Sequence, residues 1–485
     1  MQHPPIQSKP RSLGRLFCAV FFGHPQVLVM IPLSIGLLVH TIVRILREEP
    51  AHGYSLAELM RCAGVLTALT LFAALSILYL IIIIMGTVKK NGNGNGNTTM
   101  AGRTTTEGLR LDCIVTREFL LERIIELGKS RALIGPVLRA SASNGEPRYF
   151  YEEASDPCAI DLNFGYCVYS PKETLLPARE TLLKFDRVEG QFKAVSCVDD
   201  RPKALVGVHP CDLHAIQMMD SVFQEGAMDT NYAIRRENLF IVGVDCAEPC
   251  SEGVFCGDIG SNHIDRGFDV MLYPLFDCVD PAALQGLSCA NAEPGRRCFG
   301  VMYGSDAGRE WFAGGAPEGY YVPEGKDIEV FDAYMDNKHA AFPKELDAIW
   351  SDVPAILDRS YDSLLWKATA NRCYSCGSCN LVCPTCYCFD IQDEMELPVE
   401  SGRRERTWDA CMLREFASVA GGHNFRDASA NRLRHRIFRK GAWIQKQTGH
   451  TGCVGCRRCD RACTAKISIK QIINQLSEEA QHAHN

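Results

Sequence analysis

The chain reads as a mixed α+β and α/β protein in three parts. These are an N-terminal transmembrane helical hairpin, a central α/β domain, and a C-terminal helical module crowded with cysteine. Three observations predict this. Residues 16–43 and 62–88 contain no Lys, Arg, Asp or Glu. Short apolar runs at 204–208 and 239–244 are separated by a helical pattern. Two cysteine runs of equal spacing stand near the C-terminus. The chain has 485 residues, enough for two or three domains. Its net charge of −7 carries no nucleic-acid signature. It has 24 cysteines and no short cleavable signal peptide. In a reducing compartment such cysteines read as metal ligands rather than disulfides.

The first run places Cys373, Cys376, Cys379 and Cys383 in the order C-x2-C-x2-C-x3-C-P. The second repeats the spacing with Cys453, Cys456, Cys459 and Cys463. This spacing is that of iron–sulfur ligation, with the fourth cysteine of each run ligating the other run's cluster. Three nearby thiolates wrap three irons of a cube, and the fourth iron takes a ligand from further away. The expectation is two [4Fe–4S] clusters in a ferredoxin-like module. One rests on Cys373, Cys376, Cys379 and Cys463, the other on Cys453, Cys456, Cys459 and Cys383. Structural zinc takes its ligands in pairs and suits two triplets poorly. Thr464 stands where a proline commonly follows the fourth cysteine, but it is not a ligand position.

A helix needs about 20 apolar residues to cross a bilayer. Both charge-free stretches are long enough, although Pro25 and Pro32 interrupt the first. Lys9, Arg11 and Arg15 precede the pair, Lys89 and Lys90 follow it, and the linking loop balances Arg against Glu. The bias favours both termini inside the cell. This predicts a multi-pass protein of the cell inner membrane, in contact with lipid, with its cluster domain on the cytoplasmic side. His24 and His40 read as interfacial or interhelix polar residues. The expected divisions are 1–90 for the anchor, 91–110 for an Asn-Gly linker, 111–366 for the α/β domain and 367–485 for the dicluster domain.

In the central domain, residues 116–127 read as an amphipathic helix with Thr116 as N-cap. Ser170-Pro171-Lys172-Glu173 reads as a helix start with Ser at the N-cap and Pro at N1. The runs 204–208 and 239–244 read as parallel buried strands. They lead into His209-Pro210-Cys211-Asp212 and Asp245-Cys246, which should emerge at one sheet edge. The topology of 269–366 stays open. Cys113, Cys158, Cys167, Cys197, Cys278, Cys289 and Cys298 lack ligand spacing and read as buried apolar residues.

Four stretches carry a family resemblance: S-P-K-E-T-L-L-P from Ser170, H-P-C-D-L-H-A-I from His209, C-P-T-C-Y-C-F-D-I-Q-D from Cys383, and W-D-A-C followed by A-G-G-H-N-F-R from Ala420. Together with the C-terminal run, residues 111–476 resemble the iron–sulfur subunit of anaerobic sulfite reductase and the beta subunit of sulfhydrogenases. The resemblance implies an electron-transfer role between a flavin-bearing partner and a catalytic partner of a hydrogenase-type or sulfite-reductase-type complex. The apolar spans and the linker lie outside it. Some family members carry Cys-Phe-Cys where this chain has Val254-Phe255-Cys256, and Cys250 is the candidate replacement.

Spacing and resemblance together suggest a third [4Fe–4S] cluster between the α/β layer and the ferredoxin module. Its candidate ligands are Cys211, Cys246, Cys250, Cys256, Cys386 and Cys388, with Cys411 a further spare cysteine. The alternative is that these thiols only pack around the two main clusters. Ten Arg and Lys residues between Arg403 and Lys440 face four acids. They suit a solvated face, charge balance for thiolate clusters, an acidic partner or anionic lipid. No glycine-rich nucleotide motif follows a strand, so flavin binding by this chain alone is not indicated. A complete cysteine set at each cluster favours electron relay. The alternatives are a reductase acting at its own cluster and a redox sensor.

Overall fold

The computed structural model describes residues 110–141, 145–275, 298–313, 318–397 and 400–482, all within the unit Thr104–Asn485. The two predicted membrane spans, the Asn-Gly linker, Cys278 and Cys289 lie outside the described residues. Among the described residues no helix is long and apolar enough to cross a membrane.

Two sheets and a helical layer organise the chain. The larger sheet has eight strands in the order β10-β1-β9-β8-β7-β6-β2-β3. These are β1 (Cys113–Thr116), β2 (Ala132–Ser141), β3 (Pro147–Glu153), β6 (Lys203–Val208), β7 (Leu239–Val244), β8 (Val270–Pro274), β9 (Cys298–Tyr303) and β10 (Tyr320–Tyr321). The centre, β2-β6-β7-β8, is parallel, and antiparallel strands close both sides. Strands β6 and β7 coincide with the two apolar runs. They are buried on both faces, as parallel strands covered by helices must be. One face packs Leu205, Ile241 and Met271 against helices α2 (Pro210–Gln224), α3 (Thr230–Glu237) and α4 (Gly325–Ala341). The other packs Val206, Val242 and Leu272 against α1 (Arg117–Gly128). Helix α1 buries Phe119, Leu120, Ile124 and Leu127, and Thr116 Oγ1 accepts from the Phe119 amide at 3.3 Å, as the pattern predicts.

The helix expected after Ser170 is a single 3-10 turn, Pro171–Thr174, and Ser170 makes no side-chain cap bond. Pro177 disfavours helical backbone at Leu176, so the chain leaves for a strand after one turn. Among the cysteines without ligand spacing, Cys113 and Cys167 are buried as expected, Cys298 is buried but disulfide-bonded where a plain apolar residue was expected, Cys197 is half-buried, and Cys158 is exposed. Cys158 sits in a short turn capped by Asp156 and faces solvent.

The second sheet has the order β11-β12-β4-β5 and is antiparallel throughout. Its strands are β4 (Arg179–Val188), β5 (Gln191–Ser196), β11 (Phe389–Met395) and β12 (Ser401–Trp408). Thus strands from before and after residue 366 share one sheet, and the cysteine-rich region is not purely helical. The arginines of β12 divide along the strand. Arg403 and Arg404 form exposed pairs with Glu394 and Asp393. Arg406 is buried and pairs with Glu180 and Asp229, while Arg235 of α3 also holds Glu180. This buried network ties the small sheet to the α/β layer.

The remaining layer is helical. Helices α5 (Ser429–Phe438) and α6 (Ile469–His482) pack Ile437, Phe438 and Ile472 with Trp350, Leu357 and Trp366. Cys373, Cys379, Cys453 and Cys459 lie at the margin of this core.

Removing one partner of a buried ion pair costs about 3–5 kcal/mol, because the charge left behind is uncompensated. Glu180→Ala is therefore expected to lower stability by about that much, read as a lower denaturation midpoint. Asp393→Ala at the exposed pair should change it by less than about 1 kcal/mol. Equal shifts for the two variants would rule out Glu180 as the tie between the sheets.

Candidate metal centres

The two cysteine runs fold alike. In the first, Ser375 and Gly377 adopt left-handed backbone at φ 53° and 77°, followed by the short helix Ser378–Leu381. In the second, Gly455 and Arg457 do the same at φ 67° and 58°, followed by Arg458–Arg461. Paired left-handed residues curl the backbone so that its amides face the thiols. The Ser375 amide reaches Cys373 Sγ at 3.4 Å, and backbone amides also favour the Cys376, Cys453 and Cys456 thiolates. Ser375 and Arg457 hold this conformation without being glycine, a local strain that the surrounding fold must sustain.

The fold carries Cys383 to the second run. Its thiol acts electrostatically on Cys453, Cys456 and Cys459, and Thr385 Oγ1 lies 3.3 Å from its sulfur. Cys463 occupies the equivalent place after the second short helix, and its sulfur accepts from the Ile467 amide at 3.4 Å. Burial pushes the Cys453 thiol up to about 12, so burial by itself favours the protonated thiol. Metal loading must expel that proton.

The six candidates for a further cluster fall into two groups. Cys211, Cys246, Cys250 and Cys256 gather at the carboxyl edge of β6 and β7, beside Cys456. Cys211 sits in the first turn of α2, where burial pushes its thiol well above the ordinary range and the nearby Arg458 opposes that. Cys246 and Cys250 line a cavity of about 330 Å³ with Phe164, His209, Asp245 and Glu248. His209 stacks on Phe164 at 4.2 Å, and burial pulls its pKa down to about 3, so it is a neutral wall. Asp245 is locked by Lys338 at 2.6 Å and Tyr334 at 2.9 Å.

Cys386 and Cys388 belong to the other group. Cys388 shares a hydrogen bond with Cys411, and Cys386 with Cys383. The buried Asn380 amide donates to Cys411 Sγ at 3.1 Å and to Cys386 Sγ at 3.4 Å. Hydrogen bonding from Cys388 lowers the Cys411 thiol below its ordinary range. Single-ion geometry is absent among the described residues, where no three His, Cys, Asp or Glu close on one metal position. Thiols around a whole cube stand farther apart than the four around one zinc ion.

Buried charge provides the test of fit. Lys172, Arg436 and Lys440 are each at most 5% exposed, and among the described residues none has a carboxylate partner. Lys440 donates to Thr385 Oγ1 at 2.6 Å, and Arg436 donates to the Cys379 carbonyl at 3.1 Å while its Nε is unpaired. Lys172 reaches in from the 3-10 turn to the carbonyls of Leu381, Cys383 and Cys386. Uncompensated buried cations are costly. Thiolate-ligated clusters would supply the missing negative charge, so the donor set and its surroundings fit them.

Residues 372–467 match the family described as 4Fe-4S dicluster domain. Over 357 residues the chain is 31% identical to sulfhydrogenase 2 subunit beta of Pyrococcus furiosus. The match covers 73% of this chain and 94% of that protein. The chain belongs to the sulfhydrogenase beta-subunit family. It carries two [4Fe–4S] clusters.

In this member of the sulfhydrogenase beta family the second run is clamped to the α/β layer. Arg458 makes a bidentate pair with Asp212 at 2.7 Å in each arm, fully buried, and donates to the Cys167 carbonyl at 2.9 Å. The Gly455 carbonyl accepts from the Phe255 amide at 3.0 Å. A Cβ on Gly455 would stand 2.4 Å from the Cys256 nitrogen. Arg457 donates to the Glu252 carbonyl, and Arg461 stacks over Tyr166 at 3.7 Å. Lys172, Asn380, Asp212 with Arg458, and Gly455 are absent from the site read from sequence. Lys172 and Asp212 lie inside the resemblance stretches, which was the available signal. Nothing in spacing marks the other three.

Anaerobic analysis should return about eight irons and eight sulfides or more per chain, the content of two cubanes. Four or fewer of each in fully loaded protein would contradict the pair. Gly455→Ala should free the 250–256 loop from the second run, seen as faster proteolysis within that loop. Unchanged cleavage would mean the close backbone approach is not what holds it.

Proposed function

We propose that this protein is the iron–sulfur electron-relay subunit of a hydrogenase-type complex, held at the inner membrane with its cluster domain on the cytoplasmic side. The observation that carries the relay is the succession of thiol groups through the fold. It starts at the exposed Cys376, continues to the buried set around Cys383, and passes Cys456 to the cysteines at the β6–β7 edge. When bound, a cubane takes up and gives back one electron at a time.

The first cluster is assigned to Cys373, Cys376, Cys379 and Cys463, and the second to Cys453, Cys456, Cys459 and Cys383. A third is assigned to Cys211, Cys246, Cys250 and Cys256, with Cys250 replacing the cysteine lost at Val254. Four thiols from the two connections that follow β6 and β7 at one sheet edge, next to a second-run ligand, support this reading. Cys386 and Cys388 are excluded from it because they group with Cys411. Each assigned cluster has four thiolates, which favours relay over catalysis at an open iron. The described helices offer no evident reader of DNA for a sensor.

The likeness to a sulfhydrogenase beta subunit supports further subunits of a redox complex as partners; the family resemblance implies a flavin-bearing and a catalytic one among them. The apolar stretches 16–43 and 62–88 support the tether.

Cys246→Ser and Cys256→Ser are each expected to lose about four irons while both ferredoxin-type EPR signals remain. Full iron in both variants would leave a two-cluster relay. Full-length protein should need detergent for extraction, and a chain lacking the residues before Thr98 should be soluble and cluster-bearing. Extraction of the full chain by salt alone would count against the spans.

A further inference from the structure

Three buried cations surround the thiols of Cys383 and Cys386, and they differ in origin. Arg436 and Lys440 lie one turn apart, where α5 runs into a π-turn at Arg439–Trp443, within the dicluster region itself. Lys172 comes from the α/β side, 209 to 214 residues before the groups it holds. Its ammonium donates to the carbonyls of Leu381 at 3.4 Å, Cys383 at 3.2 Å and Cys386 at 3.0 Å. The ring of Trp408 covers it at 3.9 Å, and Trp408 is itself held by the Leu176 carbonyl at 3.0 Å. Lys172 is 3% exposed.

A neutral donor could bond these carbonyls at lower desolvation cost. A full charge sealed under an aromatic ring, with no carboxylate among the described residues, is reasonable only where negative charge arrives. That charge is greatest when a thiolate-ligated cluster is reduced. A nearby positive charge stabilises the reduced form more than the oxidised form, and so raises the reduction potential.

We propose that Lys172 is a positioning residue for the cluster to which Cys383 contributes. It fixes the Leu381–Cys386 backbone and raises that cluster's reduction potential through its charge. The proposal rests on the assignment of Cys383 to the second run's cluster. It makes the dicluster electrostatics depend on the α/β domain, since that domain supplies both the cation and the strand β4 beside Trp408.

The test uses the full-length protein, loaded anaerobically, with Lys172→Met and Lys172→Arg variants. Iron content and EPR-monitored redox titrations are compared with the unaltered chain. Lys172→Met should keep its iron and shift one ferredoxin-type signal to more negative potential, leaving the other in place. Lys172→Arg should stay close to the parent. Loss of about four irons in the Met variant alone would support the same role through its positioning part. Unchanged potentials with iron intact in Lys172→Met would overturn it. So would loss of both clusters in both variants, which would make Lys172 a folding residue only. A Cys383→Ser chain that retains both clusters would instead overturn the ligand assignment, and the proposal with it.

Discussion

Thiols that must become thiolates inside a protein need positive charge supplied in advance. Lys172, Arg436 and Lys440 supply it, and much of the surrounding structure serves to hold them. Burial alone pulls the Lys172 ammonium down, and the thiols of Cys386 and Cys383 oppose that effect. Burial pushes the Cys456 and Cys459 thiols up, and Arg458 and Arg436 respectively lower them. Cations and thiols are thus each unfavourable alone and favourable together once metal displaces the thiol protons. Folding of this region and metal loading are coupled for that reason.

The same logic extends to the contact between the second run and the α/β layer. Asp212 follows Cys211 directly, and Arg458 lies between Cys456 and Cys459. Their bidentate bond holds two cysteine-bearing segments in register across the interface. Gly455 lets the backbones meet without a side chain between them. The β6–β7 edge and the second run are therefore fastened together, which suits groups that must keep fixed separations. The shared β11-β12-β4-β5 sheet and the Glu180 network brace the same two regions from another side.

Local sequence determined much of the architecture. Strands β6 and β7 were legible because a short, unbroken apolar run bounded by polar residues suits a strand covered on both faces. Helix α1 was legible from a Thr cap and a helical apolar face. The cysteine spacing defined both runs, since four ligands around a cube leave little freedom in sequence. Ser170-Pro171 looked like a helix start, yet Pro177 ended the helix after one turn, a competition between two local signals.

Only tertiary structure could decide the rest. It divided the spare cysteines, placing Cys386 and Cys388 with Cys411 and leaving Cys211, Cys246, Cys250 and Cys256 at the sheet edge. It paired β4 with β12 across more than half of the described chain. It also separated the arginines into exposed strand partners, such as Arg404, and buried charges, such as Arg406 and Arg436. Composition gives an arginine no address. Whether its charge meets water, a carboxylate or a thiol depends on which distant segment folds against it, and spacing along the chain carries no record of that.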